Sequence, residues 1–192
     1  NAFYKCQSLW TIIIPEQVSD IGDNAFYYCE KLNSVSLPNN LSSIGESAFY
    51  ECRSLASIDL PTSLTTIEKE TFAHCISLSN VPIPKNLKTI GAKAFYFTRL
   101  QTLDLPEGLQ SIGESAFYEN DYITKITIPS SVILLGNSAF SSCSSLTFVD
   151  IQGALTTLST GCFMNCDLLS TVVLPDSITK FEAYVFYGCP VL

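Results

Sequence analysis

Phenylalanine recurs along this chain like a clock mark. It stands at Phe3, Phe26, Phe49, Phe72, Phe95, Phe117, Phe140, Phe163 and Phe186, a step of 23 residues everywhere except the 22 between Phe95 and Phe117. A period of this length, kept from one end to the other, restricts the chain to an array of equal units laid one on the next. The short step has a visible origin. Leu100 follows Phe95 by five residues, whereas Leu9, Leu32, Leu55 and Leu78 follow their own phenylalanines by six, so one residue is missing from that loop.

Aligning the intervals gives LxxIxIPxxLxxIGxxAFxxCxx, of which Leu32, Val35, Leu37, Pro38, Leu41, Ile44, Gly45, Ala48, Phe49 and Cys52 are a complete copy. Pairs such as Val35/Leu37, Ile58/Leu60 and Ile126/Ile128 alternate with polar residues at period two, which predicts a short strand with one buried face. Pro38 and its counterparts Pro15, Pro61, Pro84, Pro106, Pro129 and Pro175 remove a backbone donor and end that strand. Ala48, Phe49, Cys52 and Leu55 then follow at a spacing that suits one face of a short helix. Each unit therefore reads as strand, turn and short helical return.

One unit cannot fold alone. About six large side chains contribute roughly 1.5–3 kcal/mol each on burial, against about 1–2 kcal/mol per residue to order its backbone. Stacking places each phenylalanine on its neighbour and pairs each strand with the next in a parallel ladder of ~4.8 Å rungs. The expected architecture is an α/β solenoid of about eight repeats spanning residues 1–192.

Composition narrows the function classes. Ten basic residues against eighteen acidic ones give a formal net charge of −8, which repels nucleic acid rather than supplying the basic footprint its recognition requires. No apolar run reaches the ~18 residues needed to cross a bilayer. The chain contains no GxSxG, HExxH or glycine-rich phosphate loop, and it reads as a non-enzyme with no cofactor or metal site.

The recurring marks Ile44, Gly45, Ala48, Phe49 and Cys52 resemble the BspA-like subclass of leucine-rich repeats, and the resemblance covers the whole chain. It implies a curved, right-handed coil with a parallel sheet on the concave face and short helical segments on the convex side. It further implies a cell-surface or secreted adhesion protein of bacteria or mucosal protists. Departures exist: Thr98 and Asn120 replace the cysteine, Gln152 the proline, and Glu68, Ser159 and Glu182 the glycine.

Seven cysteines, Cys6, Cys29, Cys52, Cys75, Cys143, Cys166 and Cys189, share one repeat position. Their parallel directions and ~4.8 Å spacing suit packing rather than the ~3.8 Å Cβ separation of a disulfide, so free buried thiols are expected. His74 occupies a position held elsewhere by Lys5, Tyr28, Glu51 or Glu119 and is expected in solvent. Tyrosine follows the phenylalanine at Tyr4, Tyr27, Tyr50, Tyr96, Tyr118 and Tyr187, which predicts a stacked column at the convex edge.

Packing leaves two outward columns undetermined. One holds Thr11, Ser34, Ser57, Asn80, Thr102, Lys125, Phe148 and Thr171; the other holds Ile13, Ser36, Asp59, Pro82, Asp104, Thr127, Asp150 and Val173. Varied side chains on a solenoid sheet suit protein binding, so Ile13, Asp59, Asp104, Thr127, Phe148, Asp150 and Val173 are the candidate site. Phe148 is its aromatic anchor among acidic groups. The expected partner is a host or extracellular-matrix protein. A competing reading is a structural array assembling head to tail through uncapped ends and the tyrosine column, since the chain starts inside a helical segment and stops before its last strand, as an excerpt of a longer array would.

Overall fold

The computed structural model describes residues 1–192. The phenylalanines stack in chain order, with neighbouring ring centroids 5.0–5.9 Å apart and planes within 15° of parallel. Around this column a single apolar cluster of 47 buried residues runs through the coils, with Leu32, Leu41, Leu55 and Leu64 fully enclosed. Strands are short and every pairing is parallel. Thr11–Ile13 pairs with Ser34–Ser36, and Phe148–Ile151 lies between Lys125–Ile128 and Thr171–Val173. The register matches the columns read from the repeat: Thr11 opposes Ser34, and Asp150 lies between Thr127 and Val173.

The expected continuous sheet lapses in the middle. In the central coils the ladder on that face shrinks to one isolated β-bridge, Ser57–Asn80, and the segments around Ile58, Val81 and Leu103 are not strands. Pro82 stands at the centre of one such segment without a backbone N–H to give. The next coil is the short one. A second parallel ladder of two-residue strands, unforeseen in the repeat pattern, runs down the neighbouring side, with Thr66–Ile67, Thr89–Ile90, Ser111–Ile112 and Leu134–Leu135 as its longest continuous stretch.

The helical returns are absent; the segments that carry Ala48, Phe49 and their equivalents are turns. Two residues per coil flank the phenylalanine in the left-handed region, for example Ser47 and Glu51 at φ 52° and 60°, or Lys93 and Phe97 at 56° and 55°. A helix cannot pass through such residues. Their alternation turns half of the amides toward the next coil: Ser47, Phe49 and Glu51 donate to the carbonyls of Lys69, Thr71 and Ala73, each at 2.9 Å. The spacing that suggested a helix is equally served by this third ladder, whose partners lie a full coil away.

Glycine closes the stack on the second-ladder side. A Cβ on Gly113 would stand 2.5 Å from the backbone nitrogen of Ala92, and one on Gly136 would overlap Glu114 just as badly. Cysteine seals the other side, because the thiols of Cys52, Cys75 and Cys143 donate to the carbonyls of Phe26, Phe49 and Phe117 at 3.0–3.3 Å. Where cysteine is missing, Asn120 substitutes with its amide. Asn120 Nδ2 donates to the Phe95 carbonyl at 2.7 Å, and the Thr98 hydroxyl donates to Asn120 Oδ1 at 2.5 Å, both side chains buried.

Phe95 lies mid-column between Phe72 and Phe117. Phe95→Ala is expected to cost about 3–5 kcal/mol, measured as a fall in the urea midpoint, while Lys85→Ala on the exposed surface leaves that midpoint within error.

Candidate functional site

The candidate residues divide into one contiguous patch and two outliers. On the three-stranded sheet, Phe148 lies between Lys125 and Thr171, and two residues further along Asp150 lies between Thr127 and Val173. Phe148 and Asp150 are half-buried, whereas Thr127 and Val173 are exposed. Gln152 Nε2 donates to Asp150 Oδ2 at 3.0 Å, which fixes that carboxylate at the patch rim. The side chain beside Phe148 across the ladder is a cation, Lys125; Asp104 stands beyond Thr127, across a hollow of about 330 Å³ that also touches Lys125. Ile13 and Asp59 are exposed but sit coils away, Ile13 beside Ser36 at 78% exposure. The structure thus brings together Asp104, Thr127, Phe148, Asp150 and Val173, and leaves Ile13 and Asp59 apart.

Nucleophiles and metal ligands are arranged differently. All eight cysteines are free thiols, six of them buried, with Cys6 exposed and Cys189 half-buried. Burial pushes the Cys29 thiol up to about 11 and those of Cys143 and Cys162 up to about 12, and it raises Cys52, Cys75 and Cys166 as well. A thiol held protonated in this way is a packing group rather than a nucleophile. No group of three or more His, Cys, Asp or Glu converges as metal ligands would.

His74 departs from its expected solvent position. It is half-buried, with its ring 5.3 Å from those of Tyr50, Tyr96 and Phe97. The cause lies next door in the chain: Ala73 replaces the tyrosine of its coil, and the imidazole bridges the resulting gap between Tyr50 and Tyr96. Five of the six tyrosines stack as expected, Tyr4 on Tyr27 at 5.0 Å, Tyr27 on Tyr50 at 4.8 Å and Tyr96 on Tyr118 at 4.9 Å, whereas Tyr187 stands apart, exposed and edge-on to Tyr184 at 5.7 Å. Burial is the first cause that raises the Tyr50 hydroxyl to about 12, with the neighbouring Tyr27 and Glu51 adding to it.

Two exposed features escaped the reading of the repeat. Ile133 and Leu134 are 68% and 55% exposed on the second ladder, in columns whose other members, such as Ser42, Ser43, Thr65, Thr66, Thr156 and Thr157, are polar. Comparing each column down the array would have found them. The other feature is a notch around Arg99 and Tyr122, where the missing residue falls.

The model of the BspA type leucine rich repeat region matches the chain in six copies over residues 1–119 and 65–192. The chain belongs to this family. Solved structures agree. A leucine-rich repeat protein from Bacteroides ovatus is 29% identical over 95% of the chain, with a TM-score of 0.57, and the chain spans 59% of that protein's length. The Treponema pallidum leucine-rich repeat protein is 28% identical over 95% of the chain and 78% of its own, with a TM-score of 0.67. A leucine rich cell surface protein from Faecalibacterium prausnitzii, 24% identical over 96% of the chain and 72% of its own, shares the fold at a TM-score of 0.63. No curated protein sequence is significantly similar.

The thiol column makes stability fall in alkali. Each buried thiol ionises higher in the folded chain than in the unfolded one, so its contribution is complete below about pH 9. That contribution is lost between pH 9 and the folded values of about 11 to 12, at up to ~1.4 kcal/mol per pH unit for each thiol. The urea midpoint is expected to hold up to about pH 9 and to drop steadily from there to pH 10.5. Thiol reagent at pH 8 is expected to label Cys6 rapidly and the six buried cysteines only after denaturation; rapid native labelling of Cys75 would contradict the packing.

Proposed function

We propose that this repeat array is an extracellular adhesion module that binds a host or extracellular-matrix protein through the concave sheet face. The observation that carries this reading is Phe148. Its column is otherwise occupied by Thr11, Ser34, Ser57, Asn80, Thr102, Lys125 and Thr171, and nothing in the packing of the coil calls for an aromatic ring there. With Lys125 on one side and Asp150 two residues along, Phe148 offers an apolar anchor between opposite charges, the composition of an interface hot spot with a charged rim. Membership of a repeat family built for recognition supports the role, and the cell-surface description of the Faecalibacterium protein supports the location. No helix is long and apolar enough to cross a membrane.

Self-assembly through the tyrosine column receives less support, because those rings spend their faces on one another at about 5 Å within the array. Light scattering over a dilution series is expected to report one mass throughout, and oligomers growing with concentration would favour the structural array instead.

A panel of purified matrix and cell-surface proteins, presented to the immobilised chain, is the direct test of adhesion. Phe148→Ala is expected to weaken capture of the bound protein by tenfold or more. Asp59→Ala, Asp104→Ala and Asp150→Ala combined are expected to change its association rate and salt dependence. Unchanged capture by both variants would remove the concave face from consideration.

A further inference from the structure

The array is regular enough that an irregularity stands out, and three of them coincide at one place. The loop after Phe95 is a residue short; Thr98 and Asn120 interrupt the cysteine column directly beneath; and the chain's second arginine surfaces there. In the coils on either side, Ile76-Ser77 and Asp121-Tyr122 form two-residue loops, whereas Arg99 alone fills that position in the short coil. Its amide bonds to the Leu78 carbonyl of the preceding coil at 3.0 Å instead of closing a turn of its own. Coil five is therefore recessed between two projecting loops, and Arg99 forms the floor of a notch.

Two hollows of about 310 and 240 Å³ meet at Arg99 and Tyr122. The first is rimmed by Ser77, Ser79 and Gln101; the second adds the carboxylates of Glu119 and Asp121. The Arg99 guanidinium lies 5.8 Å from the Tyr122 ring centroid and has no carboxylate partner, unlike Arg53, which pairs with Glu51. Tyr122 is 49% exposed and is the one aromatic ring at a position held elsewhere by Ser8, Lys31, Ser54, Ser77, Ser145, Leu168 and Val191.

We infer that this notch binds an acidic saccharide, a sugar ring carrying a carboxylate, independently of the concave face. Each part of such a ligand has a complementary group here. An unpaired guanidinium offers a planar fork of donors to a carboxylate. An exposed phenol ring offers a flat apolar surface to the C–H face of a sugar, with a polar tip. Ser77 and Gln101 donate and accept as ring hydroxyls require, while Ser79, whose hydroxyl donates to the Ala56 carbonyl, and Glu119 and Asp121 accept from further hydroxyls. An acidic peptide would satisfy Arg99 but place its remaining charges against Glu119 and Asp121, on a chain already at −8, so the saccharide is favoured.

The test is an equilibrium titration of the whole chain, by calorimetry and saturation-transfer NMR, with N-acetylneuraminic acid, glucuronic acid, glucose and triglutamate. Saturable binding of either acidic sugar is expected, and the two arms identify which ring carries the carboxylate. Arg99→Lys and Tyr122→Ala, both at exposed positions, are each expected to weaken it about tenfold or more, with urea midpoints unchanged and with Arg53→Lys as the neutral control. Inserting one serine between Arg99 and Leu100 restores the regular loop and is expected to abolish binding. Failure of both acidic sugars to bind, equal binding of glucose, indifference to Arg99→Lys and Tyr122→Ala, or tighter binding of triglutamate through the same residues would each overturn the assignment.

Discussion

Coil-on-coil registration is the constraint from which everything else in this protein follows. A ring at one level is buried only because the rings above and below cover its two faces, and the backbone is satisfied in the same way. Only 13 of the 98 backbone hydrogen bonds lie within the regular strands, and the rest divide between turns that close locally, such as Cys52 to Phe49, and turns that bond across to the neighbouring coil, such as Phe72 to Ala94. This explains how a chain with strands of two to four residues remains ordered: each element is too short to be stable by itself, and the array supplies its partners.

Registration also explains what the repeat tolerates. Side chains that meet the adjacent coil are held to one type or to a group that makes the same contact, as when Asn120 delivers an amide to the Phe95 carbonyl in place of the thiol that Cys52 delivers to Phe26. Side chains that face solvent drift freely. His74 shows the intermediate case, an imidazole drawn into a tyrosine column because Ala73 left room for it. In such a scaffold the free columns and the breaks in the period can vary without disturbing the core, and the proposed sites at Phe148 and Arg99 stand there.

Much of the fold was legible in the residues. The 23-residue step, the buried positions of Leu32, Ile44, Phe49 and Cys52, and the pairing of Thr11 with Ser34 or Phe148 with Lys125 all follow from aligning one repeat on the next. The supposed helix did not survive, because Ala48, Phe49, Cys52 and Leu55 share one face in a helix and also in a turn with left-handed residues at Ser47 and Glu51. Serine, glutamate, lysine and tyrosine occupy most of those left-handed positions, so no run of glycine or asparagine announced them. The candidate face was legible as columns but not as a surface: Pro82 and the short coil part the ladder in the middle, which leaves Ile13 and Asp59 away from the three-stranded sheet of Phe148 and Asp150, while Asp104 reaches that sheet only across the hollow it shares with Lys125 and Thr127.

Periodicity alone thus decided that this chain is a solenoid, which side chains form its core and which share a column, because burial in a stacked array depends only on position within the repeat. Tertiary structure decided where each backbone amide finds its acceptor, whether the ladder closes between a given pair of coils, and which exposed groups lie within reach of one another. Those outcomes depend on which backbone groups face the next coil, and a single absent residue or one proline changes that locally, at an unchanged ring spacing of 5.4 Å, without altering the pattern of apolar positions along the chain.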